Sequence, residues 1–262
     1  VSKMWYNNVT KKEKKEDFMA TFQDFKLQDY CNEVIKELGF QKPTPIQEKV
    51  IPLVLKNRDI IGISQTGTGK SHAFLLPIMS RIDVNKDCVQ AVITAPTREL
   101  ATQLFNNAKT FTKYLPELRV SLIVGGSDRQ RAVNKLSTQP HVVIGTPGRI
   151  KDLSLDAQAL QITTAKTFVV DEADMTLEFG YLEDIDAVAG TMADDLQMLV
   201  FSATIPQNLR PFLKKYMQSP VTIEIDSKLV TTANVEHILL ATKHQDRYDV
   251  LKKIMATIDP YI

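Results

Sequence analysis

Eight consecutive residues, Ser64-Gln65-Thr66-Gly67-Thr68-Gly69-Lys70-Ser71, are of the types that a phosphate chain requires of its binding site. Glycines let backbone N–H groups close on phosphate oxygens, a helix N-terminus adds a favourable field, and a lysine meets the outer phosphates. Gly67, Gly69 and Lys70 supply these features, and the hydroxyl of Ser71 can hold Mg²⁺. Ser64 stands where the strict G-x-x-x-x-G-K-S/T spacing has its first glycine. The competing reading is a Gly/Thr-rich turn that merely precedes a lysine. The apolar run before it, Asp59-Ile60-Ile61-Gly62-Ile63, and the apolar helix expected from about Ala73 argue for strand, loop and helix instead.

A second cluster, Asp171-Glu172-Ala173-Asp174, follows the apolar run Phe168-Val169-Val170. An aspartate closing a buried strand is costly unless a cation or a donor meets it, and a nucleotide-bound Mg²⁺ would do so. Asp171 is then the metal-orienting carboxylate, and Glu172 lies where it can position and polarise an attacking water. Taken alone, the cluster reads equally well as an acidic N-cap region of the next helix. The phosphate loop earlier in the chain tips the balance towards the metal.

Both clusters need strands that end beside one another. Short β-branched runs at 59–64, 89–95, 119–124, 141–146, 167–171, 198–202 and 221–225 alternate with segments of helical spacing, which predicts an α/β fold with a mostly parallel sheet. Strands such as Ala91-Val92-Ile93 are apolar at successive positions, so helices are expected on both faces. Ligands of such sheets gather at the carboxyl ends of the strands.

The 262 residues, 44% hydrophobic, are enough for one full core and the start of a second domain. A net charge of +1 neither requires nor excludes a nucleic-acid partner, so any such surface has to be local. Cys31 and Cys88 lack CxxC spacing and fit reduced thiols, and the four histidines, His72, His141, His237 and His244, lack ligand spacing. A soluble, cytoplasmic, monomeric protein without membrane attachment is expected. The mixed-charge stretch within residues 1–20 reads as a solvated lead-in.

The loop at 65–70 and the quartet at 171–174 resemble motifs I and II of DEAD-box RNA helicases. Further signatures follow in register. Gly39-Phe40-Gln41-Lys42-Pro43-Thr44-Pro45-Ile46-Gln47 resembles the Q motif, with Phe22 as its upstream aromatic. Ala95-Pro96-Thr97-Arg98-Glu99-Leu100-Ala101 resembles motif Ia, Gly125-Gly126 the glycine doublet, Thr146-Pro147-Gly148-Arg149 motif Ib, and Ser202-Ala203-Thr204 motif III. Within the family, the short lead-in and compact spacing look like the bacterial cold-shock type. Ser71 departs from the usual threonine but keeps the hydroxyl, and the segment 175–181 departs from the common form while keeping its apolar positions.

The resemblance implies a RecA-like P-loop domain over residues 21–230 that takes ATP and Mg²⁺. Lys70, Asp171 and Glu172 are its expected catalytic group, with Ser71 and Asp171 at the metal. Ser64, Gln65, Thr66, Gly67, Thr68, Gly69, Lys70 and Ser71 are expected around the phosphates, with Phe22, Phe40 and Gln47 at the adenosine. A carboxamide matches the donor and acceptor on one edge of adenine, so Gln47 can discriminate it from guanine, and Phe40 can stack on the base.

RNA is the partner that the resemblance implies. Pro96, Thr97, Arg98, Gly125, Gly126, Thr146, Pro147, Gly148 and Arg149 offer small residues, hydroxyls and guanidinium groups to a sugar–phosphate backbone, largely without regard to base sequence. No Lys or Arg occurs between Lys166 and Arg210. The RNA path is therefore expected to run past Arg98 and Arg149 and away from the helix after Asp174. Asp174, Ser202 and Thr204 are expected to couple the nucleotide to RNA through hydrogen bonds from the hydroxyls towards Asp171 or Asp174. Residues 231–262 resemble a linker and the opening of a second RecA-like domain, which implies a chain cut before the half that completes the motor. Two other readings compete with the helicase: an ATP-gated RNA clamp, and a P-loop enzyme acting on a small molecule or DNA.

Overall fold

Seven strands, β1 (Ile60–Ile63), β2 (Ala91–Thr94), β3 (Val120–Ile123), β4 (Val142–Gly145), β5 (Thr167–Val170), β6 (Gln197–Ser202) and β7 (Val221–Glu224), form one sheet in the order β3-β4-β2-β5-β6-β1-β7. The structure is a computed structural model that describes residues 21–65, 67–126, 128–225 and 247–258. Every pairing in the sheet is parallel. Each expected strand run is present, most of them trimmed by a residue or two at the ends.

The reason for this sheet lies in strands that are apolar on both sides. Ile60, Ile93, Ile144, Val169, Leu199 and Phe201 enter a core shared with the helices Pro45–Leu55, Lys70–Arg81 and Arg98–Lys109. Their neighbours Ile61, Val92, Val143, Phe168, Val170 and Val200 enter a second core, closed by helices that include Leu182–Ala189 and Arg210–Tyr216. Parallel neighbours can be joined only by crossover connections, and the helices in those connections cover both faces of the sheet. Phe74 and Phe201, both fully buried, meet with ring centroids 5.1 Å apart. Truncating either ring to alanine would cost about 3–5 kcal/mol.

Parallel pairing brings all the strand carboxyl ends to one edge. Because β6 lies between β5 and β1, the loops after these three strands are neighbours. The loops after β3, β4 and β2 form the adjoining stretch of the same edge. Strand order thus divides the edge into two districts that meet at β5.

The chain divides into two compact units, Val1–Ser227 and Lys228–Ile262, and in the second Arg247–Ile258 is a helix. The expected lead-in over 1–20, the stretch 226–246 and Thr66 lie outside the described residues. No helix among the described residues is long and apolar enough to cross a membrane.

Candidate functional site

Strand β1 gives way to Ser64, whose N–H donates to the Ser202 carbonyl at 3.1 Å and so ties the loop to the end of β6. Inside the loop, the Thr68 hydroxyl lies 3.2 Å from Ser64 Oγ and donates to the Gln65 carbonyl at 3.0 Å. Gly69 caps the helix Lys70–Arg81 with φ +92°. A Cβ there would lie 2.8 Å from Gln47 Nε2 and 2.9 Å from Thr44 Oγ1, so both the backbone angle and the space call for glycine. Lys70 is 6% exposed and donates to the Ser64 carbonyl at 3.1 Å. Half-buried Ser71 is the next residue of the helix.

From β5 the chain delivers Asp171 and Glu172, each buried. Asp171 N–H donates to the Thr94 carbonyl of β2 at 2.9 Å. Glu172 holds φ +47° and ψ 56°, a left-handed conformation that costs a non-glycine residue about 1–3 kcal/mol. That conformation turns the side chain to Lys70, whose Nζ lies 2.9 Å from Glu172 Oε1. Burial, reinforced by the charge of Glu172 and opposed by Lys70, pushes the Asp171 carboxyl up to about 7. Two buried carboxylates against one lysine leave room for a further cation.

Asp174, in the first turn of the helix Ala173–Glu178, is bound to β6. Its N–H donates to Ser202 Oγ at 3.0 Å, and its Oδ2 accepts from Thr204 N at 3.0 Å and Thr204 Oγ1 at 3.2 Å. Burial works to raise this carboxyl, but hydrogen bonding with Ser202, Met175 and Thr204 outweighs it and holds the group below the usual range. Of the two expected partners for the hydroxyl pair, the structure selects Asp174.

Gln47 is 3% exposed. Its Oε1 accepts from Thr44 N at 3.0 Å, and its Nε2 donates to the Gly69 carbonyl at 3.2 Å. One carboxamide therefore braces the start of the helix Pro45–Leu55 and joins it to the phosphate loop. Phe40 is half-buried, with Phe22 stacked on it at 6.3 Å and 21° and His72 edge-on at 5.0 Å and 82°. Phe22 itself is 2% exposed and belongs to the core, so it is Phe40, not Phe22, that stands nearer the surface. Sequence reasoning missed His72 here; its place directly after Ser71, in the first helical turn, was the available signal.

In the second district, Pro96, Thr97, Arg98, Gly125, Thr146, Gly148 and Arg149 line one concavity of about 610 Å³. Thr97 caps the helix Arg98–Lys109 by accepting from Leu100 N at 3.2 Å. The guanidinium of Arg98 lies against the Gly125–Gly126 backbone, where a Cβ on Gly126 would come within 2.7 Å of Nη1. Pro147 is buried as the first residue of its helix and forms no part of the lining. Asp152 holds Arg149 and also accepts from Arg129 at 2.8 and 2.9 Å. Those guanidinium groups, Arg129 foremost, keep its carboxyl low despite partial desolvation.

The concavity that holds Arg98 and Arg149 also reaches the exit of the helix after Asp174. Phe179 and Tyr181, at the end of that helix, line the same concavity as Arg98 and Arg149. That helix spans only Ala173–Glu178, and the aromatic residues at its exit return to the groove.

Residues 44–212 match the family profile described as DEAD/DEAH box helicase, which takes in Gln47, the phosphate loop, the acidic quartet and both strand-end hydroxyls. The chain belongs to the DEAD/DEAH box helicase family. Among its DEAD-box relatives, the protein named DEAD-box ATP-dependent RNA helicase CshB of Listeria monocytogenes is 52% identical over 93% of this chain and 56% of its own length. The protein of the same name in Bacillus subtilis is 49% identical over 92% of this chain and 55% of its own length. The chain thus spans about half the length of the curated relatives it matches. The crystal structure of a DEAD-box protein from the hyperthermophile Methanococcus jannaschii superposes with a TM-score of 0.74 at 30% identity, covering 93% of this chain and 65% of the other. The all-parallel sheet is accordingly that of a DEAD-box RecA-like domain.

Proposed function

We propose that this chain is the ATP- and RNA-binding N-terminal part of an ATP-dependent RNA helicase that opens short stretches of duplex. The observation that carries the proposal is the meeting of Lys70, Asp171 and Glu172 at one edge of the sheet, with Gln47 fastened to the same loop through Gly69.

The residues fit a magnesium nucleotide. Gly67 sits at φ +80° with open space where a Cβ would project, as a backbone cradle for phosphate requires. Lys70 would exchange Glu172 for the outer phosphates, and Gln65, Thr66, Thr68 and Gly69 would surround the rest of the chain. A magnesium ion held by Ser71 and Asp171 would neutralise charge on the transferred phosphoryl group. Glu172, released from Lys70, would orient the attacking water. Gln47 keeps one amide hydrogen and one lone pair for an adenine edge, and Phe40, backed by Phe22, offers a ring face to the base.

For RNA, the lining residues Pro96, Thr97, Arg98, Gly125, Thr146, Gly148 and Arg149, with Gly126 beneath Arg98 and Pro147 starting the helix that carries Arg149, favour backbone contacts. Asp174, Ser202 and Thr204 link the end of β6, the neighbour of the strand that leads into the phosphate loop, to the acidic quartet, which supports a coupling role. Residues 21–230 are proposed as the first RecA-like domain and 231–262 as the linker and opening of a second, whose arginines would reach the γ-phosphate. Such arginine fingers are worth about 10³–10⁵ in rate. The 262-residue chain alone is therefore expected to bind nucleotide and not to unwind. A cytoplasmic monomer is the proposed setting.

RNA-stimulated ATP hydrolysis by the full-length protein tests the proposal, with Glu172→Gln alongside. Stimulation in the parent, lost in Glu172→Gln with nucleotide binding retained, is expected. Turnover indifferent to RNA would instead favour a P-loop enzyme of another kind.

A further inference from the structure

We propose that Phe179 and Tyr181 form a stacking platform for one unpaired nucleobase of the strand in the groove, so that the groove grips a base as well as the backbone. This rests on the RNA reading of the groove given above.

Both rings line the cavity that also holds Arg98 and Arg149. Phe179 is 53% exposed, more than any other large hydrophobic side chain among the described residues of the Val1–Ser227 unit. The two rings pack edge to face, 6.5 Å apart at 60°. Tyr181 also borders Gly148, where a Cβ would lie 3.9 Å from its ring.

The platform is built rather than loose. Gly180 N–H donates to the Leu177 carbonyl at 2.9 Å and Tyr181 N–H to the Thr176 carbonyl at 3.0 Å, with Gly180 at φ +76°. These two bonds and the left-handed glycine make a Schellman motif at the end of the helix Ala173–Glu178. Thr176, fully buried, donates in turn to the Glu172 carbonyl at 3.1 Å. The backbone that carries the rings is thus set before a ligand arrives, which lowers the entropic cost of binding.

Charge decides which part of a nucleotide faces them. The segment carrying the rings offers phosphate no cation, with no Lys or Arg between Lys166 and Arg210, whereas Arg98, which lies against the Gly125–Gly126 backbone, and Arg149 line the same cavity. Phosphates would follow Arg98 and the base would turn to Phe179. A π face accepts any base, so the grip is expected to be indifferent to sequence and to exclude paired bases.

The test is fluorescence anisotropy of the intact protein, with a non-hydrolysable ATP analogue, on single-stranded oligoadenylate and on an abasic ribose-phosphate strand of equal length. Phe179→Ala is expected to weaken oligoadenylate binding roughly five- to hundredfold, to leave the abasic strand unchanged, and to be rescued by Phe179→Tyr. Arg98→Ala is expected to weaken both strands. Equal loss on both strands, or no loss, in Phe179→Ala while Arg98→Ala weakens both would overturn the platform and leave the RNA reading standing, with a protein-docking role for the ring then indicated. No effect of Arg98→Ala on either strand would overturn both.

Discussion

Lys70 Nζ lies 2.9 Å from Glu172 Oε1, a buried ion pair between residues 102 positions apart in the chain. It joins the helix after β1 to the end of β5 across the intervening β6. Removing one partner of such a pair leaves a charge without compensation and costs about 3–5 kcal/mol. Lys70→Ala should therefore lower the urea midpoint as well as abolish nucleotide binding. A Lys70→Met/Glu172→Met double variant should recover most of the lost stability. Equal stability of parent and Lys70→Ala would show that the pair does not exist in solution.

Asp171 gives a pH dependence of definite sign. Its carboxyl is raised from 3.8 to about 7 in the folded state by burial first and by Glu172 second. The fold therefore prefers the protonated group: the stabilisation is complete below pH ~4 and is lost as pH rises towards and through ~7. Asp171→Asn should flatten the stability profile over that window and raise the melting temperature at pH 8 in nucleotide-free buffer. An unchanged slope in the variant would place the titrating group elsewhere.

Ser202 and Thr204 should separate binding from coupling. Ser202→Ala with Thr204→Ala removes the Ser202 hydroxyl that accepts from Asp174 N and the Thr204 hydroxyl that donates to Asp174 Oδ2, leaving only the Thr204 N–H bond to that carboxylate. Nucleotide affinity should change less than threefold, about 0.7 kcal/mol at most, while RNA-stimulated turnover of the full-length protein falls at least tenfold. Parallel losses in both quantities would reduce the pair to a structural strand end.

Arg98 should set the salt dependence of RNA binding. Each phosphate contact contributes about 0.7 to the slope of log affinity against log salt for a single strand. Arg98→Ala should lower the slope by about that amount. Gly126→Ala should act in the same direction, because its Cβ would come within 2.7 Å of Arg98 Nη1 at a backbone φ of +90°. A slope unmoved by either change would remove Arg98 from the phosphate path.

Much of this architecture is legible in the residues. The seven strands are recognisable because runs such as Phe168-Val169-Val170 feed two cores at once, and an apolar run of that length bounded by polar loops has few other uses. The candidate site is legible because a buried lysine and paired carboxylates at strand ends are expensive unless they meet. What escaped depended on distance in space. Gln47 reads as a solvated or base-reading amide, but its burial against Gly69 arises from a contact 22 residues away in the chain. Phe22 reads as a ligand aromatic, yet the core claims it and leaves Phe40 outermost. Phe179 and Tyr181 were hidden by the acidic residues around them, since only the Schellman turn at Gly180 brings the rings back to the groove.

Calorimetric titration of the protein with the magnesium complexes of ATP and GTP, alongside Gln47→Ala, tests most directly whether the loop at Lys70 and the amide at Gln47 serve one ligand. A preference of at least tenfold for ATP in the parent, lost in Gln47→Ala while the protein stays folded, is the predicted result. Equal affinity for the two nucleotides in the parent, or heat from neither, would contradict it.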